Sequence, residues 1–297
     1  MAKANTKVNS NSDDSLRKRS QLKDIWKRLR RNKLAMIGMF IVMILFISAI
    51  FAPLIAPYDY AETSFSDSFQ FPSREHLLGT DNYGRDILSR IIYGGRVSLL
   101  VAVLAVIVGL TAGGLLGLVA GYFGGLCENI IMRIMDLILA IPGFLLSVCI
   151  SAALGSGIVN TIIAISIGAI PGYARMMRAV VMSIRNQEYV EAARVSGANS
   201  LRTMLKHILP NALSPIIVES TLRVGACIMM ISSLSFIGLG VQPPTPEWGS
   251  MLSGGREYIR DFYPMVVFPG LAIMATLFGF NMFGDGLRDA LDPRLKR

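Results

Sequence analysis

The sequence predicts an all-α membrane protein of six transmembrane helices. Two observations carry this: its composition, and where its charges fall. The chain has 297 residues, 53% hydrophobic and only 16% charged, against about 25% charged residues in a soluble domain. Its mean hydropathy is +0.52. These values exclude a disordered chain and argue against an ordinary soluble enzyme. Three cysteines exclude a disulfide scaffold. The 28 glycines and 16 methionines suit packed membrane helices, where small residues let backbones approach.

Residues 1–33 form a polar, basic N-terminal segment. Leu22, Ile25, Trp26 and Leu29 recur at helical spacing among Lys and Arg. That pattern fits a short amphipathic helix on the membrane face, or a solvated segment whose charges set topology. Residues 34–57 carry no charge and form the first span. The run is too long for the apolar core of a secretory signal, and its basic leader is long. Residues 58–94 form an external segment: Tyr58 to Pro72 is aromatic and acidic without periodicity, hence loop. Ile87, Leu88, Ile91 and Ile92 share one helical face leading into the second span.

The transmembrane domain covers 95–286. Val97–Gly121 is charge-free, and so is Leu137–Ala174. A single helix over the latter would reach about 57 Å, nearly twice the hydrocarbon core. Gly155-Ser156-Gly157 therefore splits it into two spans, with a connection near Arg133 before them. Ile208–Gly240 holds only Glu219 and Arg223, and Phe262–Gly284 holds no charge. Residues 287–297 are the tail. Six spans put both ends on one side. Residues 1–33 carry 11 Lys/Arg, the Arg133 connection 1, residues 175–207 6 and the tail 4, or 22 of 29. The opposite loops, 58–96 and 241–261, carry 4 and 2. The positive-inside rule makes both termini cytoplasmic. Orientation thus accounts for the net charge of +9 without a nucleic-acid partner.

Gly109, Gly113, Gly117, Gly121 and Gly125 recur every fourth residue. They bare one side of the second span. Close packing against a neighbouring helix is the commoner use of such a series; a backbone-lined passage is the alternative. Pro142, Pro171 and Pro215 favour kinks. Glu219 and Arg223 lie four apart, as an intramembrane charge pair.

Residues 183–207 form a loop with its own structure. Glu188 to Val195 reads as a short helix, Gly197 as its left-handed terminator, and Asn199 or Ser200 as the next cap. Leu201, Met204, Leu205 and Ile208 form an apolar face entering the fifth span. The stretch Glu191-Ala192-Ala193, then Gly197, then Leu209-Pro210 resembles the EAA loop of ABC importer membrane subunits, with His207 where that family carries isoleucine. Leu78-Gly79-Thr80-Asp81, Gly84-Arg85-Asp86 and Leu88-Ser89-Arg90 resemble the outer segment of the C-type permease in dipeptide, oligopeptide and nickel importers. Ser235-Phe236-Ile237-Gly238-Leu239-Gly240 with Trp248-Gly249 is similar to the same branch.

The resemblance implies a type I ABC importer permease, with residues 183–207 as the coupling loop between spans 4 and 5. It implies a bacterial inner-membrane subunit forming half of a pathway for di- or oligopeptides. Its partners would be membrane lipid, a second homologous permease, two ABC ATPase subunits and an external substrate-binding protein. Nickel, glutathione or glycoside substrates fit the same resemblance. No cofactor, metal or catalytic group is expected. Leu252-Ser253-Gly254-Gly255-Arg256 looks like an ATPase signature, but that motif needs a phosphate loop, and the chain contains no Gly-Lys dipeptide. His76 and His207 fall on opposite sides, so they cannot share a metal. The less favoured alternative is a self-sufficient secondary carrier using Glu219 and Arg223 for proton coupling; it should show inverted repeats, the halves show no convincing one, and a carrier does not need the loop 183–207.

Overall fold

The structure is a computed structural model and describes residues 23–291. Leu22, the rest of the N-terminal segment before it and residues 292–297 of the tail lie outside the described residues. The described N-terminal part is helical over residues 23–31 (α1). Its Leu29, with Ile25, packs on Ala35, Phe283 and Ala290, while Trp26 is half exposed. Asn32 caps α2 (Lys33–Ile50), accepting from Ala35 N–H. A four-residue turn, α3 (Ala52–Ile55), follows Phe51 with Pro53 in its first turn.

α4 (Ile87–Phe123) is a single helix of 37 residues, about 55 Å long. Asp86 caps it, its Oδ2 accepting from the Ser89 N–H at 2.7 Å. The apolar face read at Ile87 to Ile92 is therefore the first part of the second span itself, not a separate element.

Between α4 and the next full span the structure departs from the sequence reading. The connection near Arg133 is helical: α5 runs Gly125–Leu139. The straight span expected from Leu137 is broken, and α6 runs only Gly143–Leu154, bent 84° from α5. Pro142 is the cause. It lacks an N–H, it pushes Ile141 away from helical geometry, and it leaves the helical region itself at ψ 128. The Leu137–Leu139 run belongs to α5. α6 reaches about 18 Å, too short to cross a bilayer alone. Five helices among the described residues are long and apolar enough to span, and the bent pair makes a sixth if its arms count as one.

Gly155 and Gly157 adopt φ +86 and +137, which turns the chain into α7 (Ile158–Ile184). α8 (Glu188–Val195), α9 (Ser200–Arg202) and a π-helical turn (Thr203–Ile208) lead into α10 (Leu209–Phe236). α11 (Trp248–Gly255) and α12 (Pro264–Leu291) are the last helices of the described residues. Pro171 and Pro215 are carried inside α7 and α10 without ending them. No strand forms among the described residues; one isolated bridge joins Thr80 and Asp86.

The core lies where α4, α7, α10 and α12 meet, around Leu99, Tyr173, Ile228 and Phe280. α2 lies on α12, where Gly279 admits Ile41. At one end of the bundle α11 seats on α4. The Trp248 ring covers Gly94 and Gly95, and its indole N–H donates to the Ile91 carbonyl at 3.0 Å. Beside it, fully buried Glu247 accepts from Ser98 Oγ at 3.1 Å and from the Ser250 N–H at 2.9 Å.

Candidate functional site

The loop 183–207 is a bent pair of short helices, and α8 turns one side chain, Val190, into the bundle. Val190 is fully buried and packs in a cluster with Val181, Met204, Ile208 and Ala212. On the other side of α8, Glu191 and Ala192 are exposed and Ala193 is half-buried. Gly197 takes φ +84. Its N–H donates to the Arg194 carbonyl at 2.9 Å, and the Ala198 N–H donates to the Ala193 carbonyl at 3.1 Å. This is a Schellman termination, and it needs a residue that tolerates positive φ. Asn199 Oδ1 then accepts from the Arg202 N–H at 2.8 Å, capping α9.

Leu209 and Pro210 open α10, and Pro210 explains the π turn before it. In an α-helix its ring would collide with the Lys206 carbonyl. Widening the turn moves the bond so that the Leu209 N–H donates to the Met204 carbonyl, five residues back. The expected apolar face splits here. Met204 and Ile208 are buried, but Leu201 and Leu205 are 61% and 47% exposed, and Val195 is 90% exposed. α8 offers only Val190 as cover, so half of the face stays open.

Two contacts fasten this loop to α4. The Arg185 guanidinium donates to the Gly121 carbonyl at 2.9 Å, and Arg194 lies 5.1 Å over the Tyr122 ring. Gly109, Gly113, Gly117 and Gly121 all face α7. A Cβ at Gly113 would stand 2.8 Å from Tyr173 Cβ, at Gly117 2.8 Å from Met177 Cβ, and at Gly121 2.8 Å from Val181 Cβ. Gly125 is not with them. It lies beyond the turn at Gly124, at φ +55, and nothing is within 4 Å of a Cβ built there. α7 is also tied to α5, by Arg175 to Asp136 at 2.5 Å and by Arg178 to Glu128.

Glu219 and Arg223 form an intrahelical ion pair at 3.0 Å, each side chain about a third exposed. Arg223 lies over the Tyr173 ring at 5.1 Å and flat against Gly172, where a Cβ would meet its Nη2 at 2.7 Å. Charge this exposed at the middle of a span does not face lipid. It opens on a groove shared with Gly143, Ser147 and Gly168.

At the opposite end of the bundle, residues 76–90 tie a knot of buried polar groups that sequence reasoning left unassembled. Asp81 Oδ1 accepts from the N–H groups of Tyr83 and Arg85, at 2.8 and 3.0 Å. Its Oδ2 accepts from Arg85 Nε at 2.7 Å and lies 3.6 Å from Arg90 Nε. His76 Nδ1 is 3.0 Å from Asp86. Phe69 and Phe71 stack on Tyr258 and Phe262, so the supposed loop 58–72 is anchored. The available signal was the density of Asp, Arg and Gly in a segment without periodicity. Among the described residues no three His, Cys, Asp or Glu side chains converge as a metal site would require.

Residues 113–297 match the family described as binding-protein-dependent transport system inner membrane component. Residues 20–72 match the N-terminal TM domain of oligopeptide transport permease C. The chain is 47% identical to the dipeptide transport system permease protein DppC of Alkalihalophilus pseudofirmus, over 93% of this chain and 91% of that one. It is 46% identical to the di/tripeptide transport system permease protein DppC of Pseudomonas aeruginosa, over 96% of each. It is 47% identical to the glutathione transport system permease protein GsiD of Escherichia coli, over 92% and 90%. Among solved structures, an inward-facing MetNI methionine ABC transporter superposes with a TM-score of 0.56 at 18% identity, covering 69% of this chain and 98% of that one.

Proposed function

This chain belongs to the family of binding-protein-dependent transport system inner membrane components, and from that premise we propose that it forms half of the pathway of an ATP-driven importer of short peptides. The observation that carries the mechanism is the bent helix pair α8–α9. It presents Glu191, Ala192 and Ala193 beside the uncovered Val195, Leu201 and Leu205. Small residues flanked by exposed apolar ones suit docking into a groove of another protein. A separate ATPase would bind there, with Gly197 fixing the bend and Leu209-Pro210 fixing the entry into α10. A second homologous permease would cover the groove at Arg223, two ATPases would dock, and an external protein would deliver substrate.

The chemistry is mechanical. ATP-driven closure of the partners would carry α8 and α9 with it, and α7 and α10 would follow, switching a bistable bundle between two openings. The peptide substrate is supported by the dipeptide and di/tripeptide permeases that the chain resembles. A glutathione pathway is the second reading, favoured by an equally similar relative. The Lys/Arg asymmetry supports cytoplasmic termini and a cytoplasmic loop 183–207.

The test is reconstitution of the four-subunit complex in lipid. Peptide-loaded external protein should raise ATP hydrolysis and drive peptide uptake, and glutathione-loaded protein should do less. Uptake by this chain alone, without ATPases, would refute the proposal.

A further inference from the structure

Between the polar knot and α11 lies a cavity of about 570 Å³. Its wall is out of electrostatic balance. Asp81 is the knot's carboxylate on this wall, and two backbone N–H groups and Arg85 Nε already occupy its oxygens. Arg90 reaches it only at 3.6 Å and otherwise donates to the Tyr60 carbonyl at 3.0 Å. The side chains of Arg85 and Arg90 are 13% and 6% exposed. Two nearly buried guanidinium groups thus share one carboxylate. Arg256, which is exposed, adds a third at the rim of the cavity, lying over the Phe236 ring, and exposed Glu257 stands next to it in sequence. Among the described residues no carboxylate is within ion-pair distance of Arg256, and no cation is within that distance of Glu257, also on the wall. Burial raises the cost of leaving positive charge undercompensated, so the part of the wall formed by Arg85 and Arg90 favours an anionic group.

We propose that this cavity is a binding site on the permease itself for a short zwitterionic peptide, with the peptide carboxylate lodged among Arg85, Arg90 and Arg256 and its ammonium group toward Glu257. The inference rests on the peptide reading above. Guanidinium groups hold carboxylates by paired, charge-assisted hydrogen bonds. Arg90 supplies a fixed one, because its position on α4 is set by the Asp86 cap and the Tyr60 contact. The volume lies within the range of small-ligand pockets, far more than one acidic side chain of a docking protein would fill. Ile87, Met251 and Met265 give the walls apolar surface for peptide side chains.

The test uses the assembled importer in nanodiscs, without its external binding protein. Titration with L-alanyl-L-phenylalanine, its C-terminal amide and its N-acetyl form is followed by saturation-transfer NMR. The free dipeptide should bind about tenfold more tightly than the amide, the difference made by one charge-assisted contact. Arg256→Gln should weaken the free dipeptide about as much, and Glu257→Gln should weaken it while leaving the N-acetyl form unchanged. Equal binding of dipeptide and amide, or none of either, overturns the site. So does loss of external-protein association in Arg256→Glu when the wild type fails to bind dipeptide, because the cavity is then a protein contact. Stimulation of ATP hydrolysis by loaded binding protein in the same preparation separates the two failures. Its presence without dipeptide binding removes this site alone, and its absence removes the function on which the site rests.

Discussion

Gly113→Ala against Gly114→Ala measures how tightly α4 and α7 are joined. The two substitutions are identical in chemistry and adjacent in sequence, and each brings the same gain of about 1 kcal/mol in helix propensity. Only their surroundings differ. A Cβ at Gly113 would stand 2.8 Å from Tyr173 Cβ and overlap the Ile170 carbonyl oxygen, whereas one at Gly114 would rest 3.6 Å from the Met177 methyl group. Carbon atoms prefer about 3.5–4.0 Å, so Gly113→Ala must part the helices by about 1 Å. Overpacking of this kind costs about 1–3 kcal/mol. The difference between the two variants should therefore be about that large, which for a domain of this size is roughly 2–10 °C in thermal midpoint. The assay is thermal unfolding of the purified complex in detergent, followed by tryptophan fluorescence, with assembly yield scored alongside. Equal midpoints for the two variants would refute the claim that the glycine series exists for close approach.

Gly197→Val should insert normally yet lose stimulated ATP hydrolysis in the reconstituted complex, because a β-branched residue resists the observed φ of +84; Glu191→Lys should weaken docking while leaving the bundle intact, and wild-type stimulation in both would sink the coupling role. In a background without accessible native cysteines, Arg74→Cys should react with an impermeant thiol reagent in intact cells and Ser183→Cys should not; the reverse pattern would invert the orientation. Asp81→Ala should leave two buried guanidinium groups unpaired, at a cost of about 3–5 kcal/mol, and expose the segment 58–86 to limited proteolysis; unchanged resistance would mean that the knot does not hold that segment.

Where the sequence was readable, the signal was local. The end of α8 follows from Gly197 and the start of α9 from Asn199, because capping is decided within a few residues. The Gly155-Ser156-Gly157 turn follows from backbone freedom. The glycine face of α4 was visible as a period of four, and its end was not: Gly125 keeps the period, but the chain turns at Gly124, so the pattern outlasts the helix. Pro142 reads as a kink like Pro171 and Pro215; that it breaks the helix outright is hidden because hydropathy runs on across it. The split of Leu201 and Leu205 from Met204 and Ile208 was unreadable, since it depends on how much cover α8 provides. The knot around Asp81 is not legible as a unit, because Arg90 ties it to the Tyr60 carbonyl thirty residues away.

α4 meets two fixtures at once. Near one end the Asp86 cap and Arg90 bind it to the polar knot, and near the other its Gly121 carbonyl accepts from Arg185, three residues before α8. No proline interrupts it, and the glycine face keeps α7 pressed along its lower half. A displacement imposed at the loop would then reach the far side through one continuous helix about 55 Å long, with no break in it to absorb the motion. The end that would feel ATP and the end that bears Trp248, Arg90 and the cavity beside them are, in mechanical terms, two handles of one shaft.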